Sequence, residues 1–166
     1  MPMDFLTDAH GRAQIAQQLA RKRRIRAIQA AARRQPLQAW RQPLTPGSPS
    51  QRQGHAAESR ACNHLIQQGA RILARNLHCK AGEIDVLAYL DGTLIFIEVR
   101  QRKHGRYGGA AASVNRTKQA RLIRAARYFL PTICRHYFAG HEPPCRFDVI
   151  SVQMDKIDWI ADAFRL

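Results

Sequence analysis

The dipeptide Asp91-Gly92 constrains this chain more than any other pair of neighbours. A tight primed turn needs positive φ, which Gly adopts freely and Asp tolerates, so the pair predicts a two-residue β-hairpin. On either side, Ile84 to Leu90 and Thr93 to Val99 are rich in β-branched and aromatic residues, as strands are. The turn register would set Asp85 directly across from Glu98 and Glu83 across from Arg100. Alternation then puts Glu83, Asp85, Leu87, Phe96, Glu98 and Arg100 on one face. Directly opposed Cβ atoms lie about 4.5–5.5 Å apart, and like charges placed so are destabilising. Two carboxylates forced together on otherwise apolar strands want a cation between them. A hard divalent ion such as Mg²⁺, bound through one or two carboxylates plus waters and a phosphate, would supply it.

Both hairpin strands are apolar on both faces, which predicts a central place in a sheet covered by helices. Ala70 to Leu77 reads as the strand before them. Cys145 to Val152 reads as another strand, followed by a short strand or turn at Ile157 to Ile160 and a short terminal helix, with Trp159 and Phe164 as core anchors. Two helices complete the pattern. In the first, from Gly54 to Gln68, Ala57, Ala61, Leu65 and Ile66 recur at helical spacing until Gly69 ends it. The second is capped by Asn115 or Ser113 and runs to Leu130, with Leu122, Ala125, Ala126 and Phe129 inward and Pro131 after its end. A loop from His136 to Pro144 then leads into the next strand. Helix, three strands, helix, strand and short helix make an α/β layer arrangement.

The first third differs in composition. Residues 1–53 hold ten Lys or Arg and two Asp, including the run Arg21-Lys22-Arg23-Arg24, and Pro and Ser crowd Thr45 to Ser50. A basic arm with a flexible linker, ahead of one domain over 54–166, is the simplest account. The whole chain carries 27 Lys plus Arg against 12 Asp plus Glu, a formal charge of +15, which favours an anionic partner, nucleic acid first. The absence of an apolar run of about 18 residues and of a secretory leader predicts a cytoplasmic protein without membrane insertion. Four cysteines with no C-x-x-C pair argue against a zinc site or disulfide framework. The seven histidines are scattered, and no glycine-rich phosphate loop, G-x-S-x-G or H-E-x-x-H occurs.

Cations cluster where a nucleic acid backbone could meet them. Arg102, Lys103 and Arg106 lie in a glycine-containing loop after the hairpin, and Arg116, Lys118, Arg121, Arg124 and Arg127 form an outer ridge on the second helix with no alternating acids. A carboxylate pair on a hairpin, a carboxylate at the edge of the preceding helix (Glu58) and a cation two residues past the last acid (Arg100) make a phosphodiester-cleaving constellation.

Gly54-His55-Ala56-Ala57-Glu58, Gly82-Glu83-Ile84-Asp85, Phe96-Ile97-Glu98-Val99-Arg100-Gln101-Arg102, Tyr107 to Val114, Lys118-Gln119 and Cys145-Arg146-Phe147-Asp148-Val149 together resemble the YraN family. That family is placed in the restriction-endonuclease-like, PD-(D/E)xK superfamily and is related to archaeal Holliday junction resolvases. The resemblance covers roughly Gly54 to Leu166. It implies a restriction-endonuclease-like α/β fold with a mixed central sheet flanked by helices. It also implies Asp85 and Glu98 as Mg²⁺ or Mn²⁺ ligands with the Val99 carbonyl contributing, Glu58 as the helix-borne acid, and a DNA substrate, branched or flapped. The resolvase kinship adds a homodimer as a possible assembly. One departure stands out: the superfamily commonly has Lys where this chain has Arg100. A guanidinium holds its proton, so it cannot be a general base, although it can stabilise an oxyanion or simply pair with Glu83. Lys103 or Lys118 could supply a displaced lysine. A non-catalytic nucleic-acid-binding protein with the same fold is the alternative, and an RNA- or membrane-associated accessory factor a third reading.

Overall fold

In a computed structural model, residues 11–19, 49–101, 114–154 and 156–165 are described. A short helix, α1 (11–19), is exposed along nearly all its length, while the Arg21 to Arg24 run of the expected basic arm lies outside the described residues. The body comprises α2 (Pro49–Gln67), β1 (Arg71–Cys79), β2 (Gly82–Leu90), β3 (Thr93–Gln101), α3 (Arg116–Tyr137), β4 (Cys145–Val152) and β5 (Ile157–Phe164). The strands form one sheet in the order β1-β2-β3-β4-β5. All neighbours are antiparallel except β3 and β4, which are parallel. A parallel pair needs a crossover, and α3 supplies it.

The strand pleat sorts the core into two layers. Val86, Ala88, Ile95 and Ile97 pack with Ala57, Ala61 and Leu65 of α2. Leu87, Leu94 and Phe96 pack with Leu122, Phe129, Ile133 and Tyr137 of α3. This is the mixed sheet between helices of a restriction-endonuclease-like fold. On the α3 side Phe96, Phe147 and Phe164 stack in a row across β3, β4 and β5, with centroids 5.4 and 5.0 Å apart.

Three expectations need correction. Helix α2 begins at Pro49, upstream of Gly54, and its Ile66 is 56% exposed, so the buried stripe is Ala57, Ala61, Cys62 and Leu65. Helix α3 does not end before Pro131 but runs through it to Tyr137. A proline inside a helix costs about 3 kcal/mol. Beyond it Ile133 and Tyr137 are fully buried, each worth roughly 1.5–3 kcal/mol, and Tyr137 Oη donates to the Leu73 carbonyl at 2.8 Å. Packing therefore carries the helix past the proline and absorbs the start of the expected loop.

The third correction concerns the C-terminus, where the expected terminal helix is instead the edge strand β5. Its pairing with β4 is interrupted between Val149↔Ile160 and Phe147↔Phe164, where β5 carries two more residues than the strand it faces. Within the break Asp162 has φ 51°, and its backbone N–H donates to Asp148 Oδ1 at 2.9 Å. Asp148 is 1% exposed and also accepts from Arg146 Nε and from Trp159 Nε1 at 2.8 Å. Trp159 and Phe164 are half-buried rather than fully internal, each packed against one of the two layers.

All four cysteines are free thiols, and burial pushes Cys145 up to about 12. Among the described residues no helix is long and apolar enough to cross a membrane.

Candidate functional site

At the Asp91-Gly92 turn both residues have positive φ, 47° and 84°, so the primed hairpin forms as the sequence requires. The β2–β3 ladder runs from Leu90↔Thr93 to Val86↔Ile97. There it stops, one pair short of Asp85 and Glu98. From this point β2 stays with β1, down to Cys79↔Gly82, while β3 stays with β4 through Gln101↔Val152. Each strand keeps its outer partner and the inner pair parts, opening a wedge in the middle of the sheet.

The wedge revises the hairpin register. Asp85 is not a ladder partner of Glu98; its Oδ2 reaches across the gap and accepts the Val99 N–H at 2.7 Å. Parting the strands relieves the direct opposition of two carboxylates and uses one of them to satisfy a backbone donor that the lost ladder would leave open. Nor does Glu83 pair with Arg100. Glu83 Oε1 accepts from Lys118 Nζ at 2.9 Å, with His78 Nδ1 at 3.5 Å from Oε2, while Arg100 Nε sits 3.4 Å from Glu98 Oε1.

Lys118 is the residue that position in the sequence undervalues. Asn115 caps α3, its Oδ1 accepting the Lys118 N–H at 2.9 Å, which fixes the first turn and aims the lysine at the wedge. Its Nζ lies between Glu83 Oε1 and Glu98 Oε2, the latter at 3.3 Å. A cation in a helix's first turn opposes the macrodipole, and this first turn has no acid at all. The two glutamates compensate for that placement. The only sequence signal was the match at Lys118-Gln119 together with the absence of a lysine at position 100.

The pair is short of positive charge for its depth. Glu98 is 3% exposed, and its Oε2 is buried without a well-formed hydrogen bond. Burial, then the charge of Glu98, pushes Asp85 up to about 7 despite the Val99 N–H and Lys118. Burial likewise raises Glu98 against the opposing pull of Lys118 and Arg100. Glu83, by contrast, is lowered, mainly by its hydrogen bond to Lys118. Burial works against the Lys118 ammonium, but Glu83, Glu98 and Asp85 outweigh it and raise its pKa. The amine is therefore held as a cation.

This donor set fits a hard divalent cation: two buried carboxylates whose ionised forms are disfavoured as they stand, one with an unsatisfied oxygen. Among the described residues no cluster of three or more Asp, Glu, His or Cys converges on one point, so any such ion would take its remaining ligands from backbone, water or substrate.

Other expected residues lie elsewhere. Glu58, on α2, has His55 Nδ1 at 3.5 Å and Arg75 Nη2 at 3.5 Å. Arg75 pairs with Val86, whose side chain packs under α2, so these contacts lie on the sheet face opposite α3. Arg116 and Arg121 are exposed on α3, and Arg121 flanks a cleft beside the wedge. Arg102, Lys103 and Arg106 lie outside the described residues.

Residues 57–152, which take in the wedge, the latter part of α2 and all of α3, match the family model described as uncharacterised protein family UPF0102. A UPF0102 protein of Bordetella petrii is 47% identical over 163 residues, 98% of each chain. One of Bordetella parapertussis is 52% identical over 121 residues, 72% of this chain and 68% of its own. A third, of Cupriavidus taiwanensis, is 48% identical over 115 residues, 69% and 83%. The chain belongs to the uncharacterised protein family UPF0102, the YraN family that its sequence resembles.

Proposed function

We propose that this chain is a Mg²⁺- or Mn²⁺-dependent endonuclease that hydrolyses DNA phosphodiester bonds, with branched or flapped DNA as the preferred substrate class. The observation that carries this reading is the wedge itself: a buried Asp85–Glu98 pair beside which another element delivers a lysine, in a chain with Arg100 at the position where the superfamily it resembles commonly has Lys. Held by Asp85, Glu98 and the Val99 carbonyl, the ion would polarise a phosphoryl oxygen and make a bound water acidic enough to attack. The chain's own groups do the rest. The Val99 N–H fixes the Asp85 carboxylate. Lys118 and Arg100 flank Glu98 and present positive charge that offsets the charge gathering on the phosphate in the transition state. Glu58, held by His55 and Arg75, is assigned no step.

A second reading, a nucleic-acid-binding protein that does not cut, is favoured by one feature. Neither cation at the pair is suited to take a proton, Arg100 by its chemistry and Lys118 by its raised pKa. Titration with Mn²⁺, followed calorimetrically, separates the readings. Wild type should bind the ion, and Asp85→Ala and Glu98→Ala should lose it. Cleavage is then screened with each metal on linear, flapped, single-stranded and four-way DNA. If no substrate is cut while salt-dependent DNA binding persists, the non-catalytic reading replaces the nuclease.

A further inference from the structure

Next to the wedge lies a cleft of about 450 Å³, between the β1–β2 turn and the first turns of α3. His78, Lys80, Glu83, Lys118, Arg121 and Arg124 supply its polar lining. Its volume is that of sites that take small molecules or single groups of a larger one. We propose that this cleft is a phosphate-binding subsite, holding a phosphate of the nucleic acid that neighbours the one at the carboxylate pair. It rests on the nucleic-acid reading above and extends it to residues of the β1–β2 turn that carry no part of the wedge.

Charge is the first argument. Glu83 is the only acid in the lining, and Lys118 and His78 already engage it. Lys80, Arg121 and Arg124 are exposed toward solvent. The α3 sequence has no Asp or Glu anywhere along its 22 residues, so neither arginine has an acid partner on its own helix. Spaced three apart, Arg121 and Arg124 share a helix face, and two guanidinium forks on one face suit the oxygens of a phosphate.

Rigidity is the second. A Cβ at Gly82 would lie 2.7 Å from the Arg121 carbonyl oxygen, closer than atoms tolerate. The turn thus seats directly on the α3 backbone at the residue whose side chain lines the cleft, fixing Lys80 and Arg121 relative to each other. The third argument is continuity. Lys118 lines the cleft and also lies 3.3 Å from Glu98 Oε2, so one side chain joins the two sites.

The test uses the full chain in EDTA, which removes any divalent ion, and fluorescence anisotropy of a short single-stranded oligonucleotide. Arg121→Ala/Arg124→Ala is compared with Arg135→Ala, an exposed change on the same helix outside the cleft. The double variant should bind at least roughly tenfold more weakly than the control. It should also lower the salt slope by about 1.4, the share of two phosphate contacts on a single strand. Oligonucleotides with a 5′-phosphate and with a 5′-hydroxyl identify the source: a preference for the first points to a strand end, equal binding to an internal diester, and either supports the subsite. Equal affinity and slope in double variant and control overturn it. Absence of cleavage by wild type with Mn²⁺, with the anisotropy difference intact, refutes the nuclease and leaves the subsite standing.

Discussion

Replacing Asp85 by Asn should make this protein more stable at neutral to alkaline pH when no divalent ion is present. Asn keeps the volume of the side chain and an oxygen to accept the Val99 N–H, so packing and that hydrogen bond survive. What it removes is an ionisation that burial and Glu98 disfavour, in a site where Glu83 and Lys118 are the other charged neighbours. The wild-type carboxyl moves from 3.8 to about 7 on folding. Between those values the folded chain holds a proton that the unfolded chain has released, so stability is full below about pH 4 and falls as pH rises toward 7. At roughly 1.4 kcal/mol per pH unit the loss is about 4 kcal/mol. Urea denaturation in EDTA at about pH 8 should show Asp85→Asn more stable than wild type by up to about 4 kcal/mol, shrinking to about 1 kcal/mol near pH 4.5. A gap that does not change with pH, or a variant that is less stable at pH 8, would refute the claim that this carboxylate is held against its preference. Adding Mn²⁺ should stabilise wild type and leave the variant unmoved.

Lys118→Met should lower cleavage by on the order of a hundredfold while leaving far-UV circular dichroism unchanged, since it removes the charge between Glu83 and Glu98 and keeps the apolar stem. Gly82→Ala must push the β1–β2 turn off the Arg121 carbonyl, and a loss of roughly 1–3 kcal/mol in denaturant midpoint measurements is expected. Trp159→Phe takes one of the donors from buried Asp148 and should cost about 1–3 kcal/mol by the same measurement, without effect on Mn²⁺ binding at the wedge.

The elements fixed by local chemistry were legible in the chain. Asp91-Gly92 made its turn, Gly69 ended α2 in the left-handed region, Asn115 capped α3, and Cys145 to Val152 formed its strand. What escaped the sequence depended on tertiary context. Pro131 reads as a stop, and only the burial of Ile133 and Tyr137 overrides it. The strand at Ile157 was expected to give way to a short terminal helix, whereas β5 runs on to Phe164 through a register break, and the buried carboxylate that holds the break, Asp148, lies on another strand. The acid pair was visible in the hairpin, but its geometry was not. Register arithmetic assumes that two strands pair to their ends, whereas here each has a competing outer neighbour. Lys118 was one of two candidates for the displaced lysine, and the choice between it and Lys103 depended on tertiary context, since the sequence does not announce that α3 will begin beside Asp85 and Glu98.

The breaks in the two outer strands have a consequence for assembly. β1 carries a register shift between Ile72 and Ala74 and a left-handed Asn76 at φ 53°, and β5 carries its own shift with Asp162 at φ 51°. A strand from a second molecule needs an unbroken row of donors and acceptors, and neither border of this sheet offers one. Both borders among the described residues are thus blunted against border-to-border growth, the route by which sheet proteins stick to one another. Among the described residues the sheet parts instead at its middle, in the wedge between β2 and β3, away from either border.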